Sequence, residues 1–435
     1  MDLSDFDATT PPRAEPYEIG STDDSLPRMM QDFAKHGDLY CVHAPDRKRD
    51  TWAISDPQDI KRVLLTNHRN YNKGVGFERV KLLLGNGIIV SDGSFWQRQR
   101  RMMQPAFQRA NVDRQGTMMA QINLQRLARW DQLADSGEPI NITKEMSELS
   151  LDIVLRALLG ADIDELIRSL GHNPFSMVTD DSARDLKFAY RFRQLTKHVE
   201  AIILRRQQST APPADDWLGI LVAARDTAGN AMTMKELLDE VFSLIVAGHE
   251  TTAGTLNWSW YLLSQHPEVE TQLHAELDAA EEFSSWQLTA IEGLRFTQQV
   301  LLEALRLYPP VWVFTRRAVK EDQLSGCPLA ADTDVFISPY VVHRHPEHWP
   351  EPESFCPARF AADADPKPPK FAYVPFSAGP RHCIGESFAM YEMGIHLYLA
   401  ARRFRLRYTG KVPPDYEARI NLRTREDLQM TVERR

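Results

Sequence analysis

The ten residues Phe376-Ser-Ala-Gly379-Pro-Arg381-His-Cys383-Ile-Gly385 set a cysteine between two glycines, with a basic side chain two positions before it. Downstream, Glu386 to Ala400 holds no proline and a single internal glycine, which predicts a long helix. Cys383 therefore stands on a tight loop that feeds a helix N-terminus, where unpaired backbone N–H groups and the macrodipole favour negative charge. Such surroundings lower a thiol pKa and hold a thiolate. A lone thiolate in a rigid, amide-lined loop suits a soft metal, and suits the axial position of a heme iron. The competing reading is a structural cysteine buried in a Gly-rich turn, as most free cysteines are.

A second stretch breaks local rules in a way that points to chemistry. Thr233-Met-Lys-Glu236 reads as a capping box, and Val241 to Ala247 is apolar on nearly every side, which implies burial all round. Running on to Gln265, about thirty residues at ~1.5 Å each span roughly 45 Å. In the middle stands Ala247-Gly248-His249-Glu250-Thr251-Thr252, a poor choice for the interior of a buried helix. Conflicts of this kind gather at functional sites. Gly248 would let a ligand approach the backbone, and Thr251 can bond back to the Ala247 carbonyl, opening the helix into a groove. Glu250 and Thr251 could then relay protons. Otherwise Glu250 is an exposed carboxylate and the threonines are packing.

Three further patterns carry charge at regular spacing. Glu303 and Arg306 are three apart on a helix around Phe296 to Leu307 that Pro309-Pro310 closes. Trp96 and Arg100 are four apart and share a helix face, which in isolation would be a solvated basic face. Val311-Trp312-Val-Phe314-Thr-Arg316-Arg317 reads as an apolar strand whose alternation sends its two arginines to opposite faces. The histidines of His343-Arg-His-Pro-Glu-His348 lack a matching set of ligands, so a surface loop is expected rather than a metal site.

Taken in order, these stretches resemble the motifs of the cytochrome P450 family. Phe-x-x-Gly-x-Arg-x-Cys-x-Gly resembles its heme loop, and Ala247 to Thr251 its oxygen-activating helix. Glu303-x-x-Arg306 with Arg359 resembles its internal structural pair, although Ala358 departs from the glutamate often found there. The resemblance runs from the hairpin near residue 40 to Leu428–Val432. It implies a mainly α fold, a triangular prism with a small β region, carrying heme b (iron protoporphyrin IX).

The resemblance also assigns roles. Cys383 would be the thiolate ligand that pushes electron density to iron and favours O–O cleavage. Phe376 would shield the sulfur, with Gly379 and Gly385 allowing the loop. Trp96, Arg100, Arg381 and, of the strand pair, Arg316 would hold propionates. Thr251 and Glu250 would serve oxygen, with Ala247 and Gly248 against the cofactor and His249 facing away from iron. Val311, Trp312 and Phe314 would line an apolar pocket, with Gly74 to Ile89 and the helices around Pro174.

The implied reaction inserts one atom of O2 into a small apolar organic substrate, within bacterial secondary metabolism by family analogy. A ferredoxin or flavodoxin with its NAD(P)H-dependent reductase would supply electrons, docking on Arg98, Arg101 and His382. The alternatives are an H2O2-driven peroxygenase of the same fold and a non-catalytic heme sensor or carrier.

Stepping out to the whole chain, 435 residues with 43% hydrophobic and 26% charged composition suit a globular protein. With 51 Lys and Arg against 60 Asp and Glu, the net charge of -9 speaks against nucleic acid as a partner. The four cysteines, widely spaced, suit a reducing cytoplasm. The acidic, Pro-broken N-terminus resembles neither a secretory signal nor a membrane anchor, so a monomer away from membranes is expected. A loose Pro-rich lead-in over residues 1–25 would precede a single domain over 26–435.

The positioning elements are legible too. A helix over Leu26 to His36 stops at Gly37, and a hairpin pairs Leu39 to His43 with Thr51 to Ser55. Asp56-Pro57 caps a helix over Gln58 to Thr66. Tyr71 to Val90, with four glycines, reads as an irregular connection. Helices follow over Ile122 to Leu133, Thr143 to Leu159 and Asp185 to Gln208, then a loop with Pro212-Pro213.

Overall fold

A computed structural model describes residues 10–180, 186–210, 214–283 and 285–435. Asp185 and Pro212-Pro213 lie outside the described residues. Helix α1 (Ser25–His36) ends where Gly37 turns to φ 80°. Helix α2 (Pro57–Lys61) starts at Asp56, whose carboxylate accepts from the N–H groups of Gln58 and Asp59, and continues as a π-helical turn over Arg62–Thr66. Helix α3 (Phe77–Leu84) occupies the stretch expected to be irregular. Its glycines do not interrupt it: Gly76 precedes it and Gly85 ends it at φ +69°. Next come α4 (Gly93–Met103), α5 (Gly116–Ser136), which stops at left-handed Gly137, and α6 (Ile142–Leu159), capped by Asn141.

The longest helix is α7 (Met234–Gln265), 32 residues opened by the expected capping box between Thr233 and Glu236. Helix α8 (Arg295–Leu307) stops before Pro309-Pro310, and α9 (Glu386–Ala401) follows the cysteine loop.

The chain forms two compact units. The first comprises residues 1–78, 302–383 and 414–426. Its sheet has five strands, β1 (Leu39–Ala44), β2 (Arg49–Ile54), β3 (Tyr71–Lys73), β4 (Phe314–Ala318) and β5 (Asp334–Ile337), in the order β1-β2-β5-β4-β3. Only β2 and β5 run parallel, Thr51 beside Asp334. The lead-in is not loose here. Cys41 donates to Pro12, Ala14 and Tyr17 donate to Cys41 and His43, and Tyr17 and Ile19 are buried beside β1. A hairpin joins Asp322–Leu324 to Cys327–Leu329 through Ser325 and Gly326, both at positive φ as a two-residue turn of this hand requires.

The second unit comprises residues 79–301, 384–413 and 427–435. There α7, buried over residues 241–245, packs along α6, with Thr143 Oγ1 3.0 Å from Asn257 Oδ1 and Ser147 Oγ 2.9 Å from His249 Nε2. Helix α9 packs on α5 through a buried chain. Trp260 Nε1 donates to His396 Nε2 at 2.9 Å, and His396 Nδ1 faces Asn123 Oδ1 at 2.8 Å. Since Nε2 accepts, Nδ1 carries the proton, and burial pushes this histidine down to about 3. The family-like mainly α fold with a small β region is the observed one.

Candidate functional site

In the first unit the cysteine turn is shaped by its backbone. The N–H of Cys383 donates to Phe376 O at 2.9 Å, and that of His382 to Gly379 O at 3.0 Å. Gly379 has φ +68°, and a Cβ there would overlap the Leu64 carbonyl oxygen, so both conformation and space demand glycine. Gly385 has φ -95°, which any residue adopts; the second left-handed position is instead Ser377, at φ 59°. Nothing in the residue type of Ser377 announces this. Cys383 is exposed on the turn, whereas Cys41 and Cys327 are buried. Arg381 is half-buried on the same turn.

Behind the turn lies a fully buried ionic cluster. Arg306 spends all five of its N–H donors: Nε and Nη2 on Glu303 at 2.7 and 2.8 Å, Nη1 on His343 O and Pro352 O, and Nη2 again on Ser354 O. Glu303 also accepts from the Cys356 N–H at 2.9 Å and from Arg359 Nε at 3.3 Å. The loss of a glutamate at Ala358 thus leaves the Arg359 contact in place. His343 extends the cluster toward the turn. Its Nε2 accepts from the Val374 N–H at 2.9 Å and its Nδ1 faces Arg306 O at 3.2 Å, so it is neutral, with burial holding its pKa well below the usual value. This corrects the expected surface loop: His343 and His345 are both buried. The signal available was the apolar Tyr340-Val-Val342 run before them. Among the described residues no group of His, Cys, Asp and Glu could hold a metal ion.

Strand β4 separates its arginines as alternation requires. Arg317 is bound to Asp334 at 2.8 and 2.9 Å. Arg316 points the other way, buried, with its guanidinium 5.2 Å from the Phe314 ring centroid. Val311 and Phe314 pack in the core beside Trp52 and Val374. Trp312 is not a pocket residue. It is fully buried among Tyr40, Phe336 and Tyr340, and its Nε1 donates to Arg419 O at 2.8 Å. β4 begins only at Phe314, so strand alternation does not govern where Trp312 points.

In the second unit, α7 has an accessible window. Ala247, Gly248, Glu250 and Thr251 are half-buried in a helix that is buried on either side of them. Thr251 Oγ1 donates to Ala247 O at 2.7 Å, the back-bond its position predicts. The helix runs unbroken through this stretch. Thr255 and Ser259 repeat the bond to Thr251 O and Thr255 O. His249 is buried and bound to Ser147 of α6, away from the window. Gly248 also has a packing reason: a Cβ there would stand 2.9 Å from Val154 Cγ2 of α6. On α4, Trp96 is buried and Arg100, one turn on, is half-buried. Arg98 is not a docking residue. It is held by Asp226 at 2.7 Å, Glu236 at 2.9 Å and Ala231 O at 3.0 Å, tying α4 to the N-terminus of α7. Arg101 remains exposed.

Taken unit by unit, the donor chemistry fits an iron porphyrin. In the first unit a single exposed thiol on a turn of fixed backbone is a soft donor, and the Arg316 and Arg381 guanidinium groups are of the type that binds carboxylates; in the second, Arg100 and the Trp96 indole are donors of that type too. No helix among the described residues is long and apolar enough to cross a membrane.

Comparison with known proteins gives one family model, cytochrome P450, matching residues 18–431. The chain is 33% identical over 398 residues to cyclooctatin synthase of Streptomyces melanosporofaciens, covering 87% of this chain and 85% of that one. It is 31% identical to cyclooctat-9-en-7-ol 5-monooxygenase of the same organism, with 91% of each chain covered. It is also 30% identical to pentalenene oxygenase of Streptomyces avermitilis, over 96% of this chain and 95% of the other.

Proposed function

Because the chain belongs to the cytochrome P450 family, and is thereby a heme b monooxygenase, we propose that it oxidises a ring-containing alkene or alkenol of low polarity. The names of its bacterial relatives denote such molecules. Bound heme supplies the activation of O2, one atom of which enters the substrate while the other leaves as water.

The chain's own residues have distinct tasks in this reading. Cys383 would hold the heme iron through its thiolate, on a turn fixed by the bond of its N–H to the Phe376 carbonyl and by the absence of a side chain at Gly379. Arg316, Arg381, Arg100 and Trp96 bind propionates. Thr251 gives its proton to Ala247 O, so its oxygen is an acceptor that can hold a water or an oxygen ligand by a lone pair. Glu250, one residue before it, is the acid that resupplies protons. A ferredoxin or flavodoxin with its reductase delivers electrons, with the exposed Arg101 offering positive charge to an acidic surface and His382 a polar neighbour of the thiol.

The observation that carries the reading is the exposed Cys383 thiol on its Gly379-dependent turn. The test is the spectrum of the dithionite-reduced protein under CO, for wild type and Cys383→His, followed by turnover of a cyclic alkene with NADPH and a surrogate ferredoxin system. A strongly red-shifted Soret band in wild type only, with an oxygenated product, is expected. A histidine-type band in both proteins would remove Cys383 from the iron. A correct band without product from ferredoxin, flavodoxin or H2O2 would favour the heme sensor.

A further inference from the structure

The backbone that follows α3 is hydrogen-bonded to side chains of α7. The N–H of Asn86 donates to Asp239 Oδ2 at 2.9 Å, and the N–H of Ile88 to Glu240 Oε2 at 2.8 Å. Glu240 is fully buried, while Asp239 also accepts from Lys235 Nζ at 2.7 Å. Two glycines permit this approach. A Cβ at Gly85 would overlap the Asp239 carboxylate, and one at Gly87 would overlap the Ser243 hydroxyl and stand 2.6 Å from Asp239 O. The contact is therefore built at both ends, glycine on one element and carboxylate on the other.

What this junction carries is apolar. Leu84, Ile88 and Val90 are buried, whereas Leu82, two residues before Leu84 on α3, is 84% exposed. The junction also lies on the working face of α7. Ala247 and Thr251 are seven and eleven residues beyond Glu240, which places all three within about 20° of one line down the helix. An apolar ligand offers no charge to steer it, so its admission depends on moving apolar side chains aside. The backbone bearing Leu84, Ile88 and Val90 can move only if the bonds to Asp239 and Glu240 open.

We infer that Asp239 and Glu240 are positioning residues, a carboxylate latch that holds the Gly85–Ile88 backbone on the reactive face of α7 and sets how fast an apolar ligand enters and leaves. This rests on the monooxygenase reading of that face. Opening leaves a buried N–H unpaired, which keeps the closed state dominant while a minor open state stays populated.

The test uses the heme-loaded full chain. Hydrogen–deuterium exchange is followed in peptides covering residues 84–90, and stopped-flow rates are measured for 4-phenylimidazole as a bulky apolar heme ligand. For Glu240→Ala, exchange at residues 86–88 and both the association and dissociation rates should rise roughly tenfold, the size expected for one lost charge-assisted bond. Glu240→Gln, whose amide oxygen still accepts from Ile88, should return both toward wild type. Unchanged exchange in Ile142–Leu159 will show that the fold is intact. If Glu240→Ala does not fold, Asp239→Ala, at a half-buried position, should still accelerate exchange and ligand entry, by a smaller factor. Faster exchange with wild-type ligand rates would make the junction merely structural, and unchanged exchange would remove the latch. The reduced-CO band of the same samples reports separately on the heme–thiolate assignment, since the exchange result does not depend on it.

Discussion

Glu303 and Glu392 are both fully buried carboxyls, one in each compact unit, and their surroundings treat them in opposite ways. Glu303 accepts four hydrogen bonds, three from guanidinium groups and one from a backbone N–H. Glu392, on α9, has no hydrogen-bond partner for either oxygen among the described residues. Burial holds its pKa well above the usual carboxylate value. His396 stands one helical turn away but cannot help, because Asn123 and Trp260 already hold both of its nitrogens. Burial thus costs a carboxyl little where four donors reach it, as at Glu303, and raises its pKa where they do not, as at Glu392.

The contrast breaks most visibly at Glu303. Glu303→Ala leaves Arg306 buried with a charge and two N–H donors unanswered, and frees the Cys356 N–H. A loss of about 3–5 kcal/mol is expected. The same cluster reaches the residues before Phe376 through His343 and Val374, so the variant should be recovered with little or no heme. Denaturant unfolding and the heme-to-protein absorbance ratio measure both effects. A stable, fully loaded Glu303→Ala would mean that the bonds counted here contribute almost nothing.

Glu392 sharpens the comparison through pH. Its folded pKa is raised, so the native state binds more protons than the unfolded chain once the pH exceeds the usual 4.5. Stability is then lost as pH rises through that window toward the folded value. Glu392→Gln removes this linkage, so variant and wild type should converge in acid and separate in favour of the variant toward pH 8. His396 has the opposite sign. It is held at about 3 against an ordinary 6.5, so it weakens the native state as pH falls below 6.5. Thermal unfolding across pH 4–8 measures both slopes. Parallel curves for wild type and Glu392→Gln would show that Glu392 is ionised in the folded protein.

Features set by the backbone were the ones legible in the sequence. The Gly379 turn, the capping box of Thr233 and Glu236, the back-bond of Thr251 and the stop at Gly37 each follow from the residue types at fixed offsets. What escaped was set by neighbours distant in the chain. Gly248 lies against Val154, ninety-odd positions away, and the Arg98 guanidinium is held by Asp226 and Glu236. The helix Phe77–Leu84 was hidden because glycines that flank an element look, in sequence, like glycines that break one. His343 was hidden because a histidine cluster advertises a surface, while only the tertiary fold supplies the Val374 N–H that satisfies it.

The smallest effect is expected where a buried polar group has solvent nearby to replace its partner. Trp312 is as deeply buried as Glu303, and its indole N–H makes one hydrogen bond, to Arg419 O. Trp312→Phe removes the donor and some ring area, but Arg419 is exposed, so water can reach the freed carbonyl. The cost should be about 1 kcal/mol, compared with several for Glu303→Ala. Because the ring packs with Tyr40, Phe336 and Tyr340 rather than lining a pocket, the spin-state shift and affinity for any apolar ligand should match wild type. A loss of ligand affinity without a loss of stability would return Trp312 to the pocket; a loss near that of Glu303→Ala would mean that solvent access to the acceptor does not govern the cost of losing a buried bond in this unit.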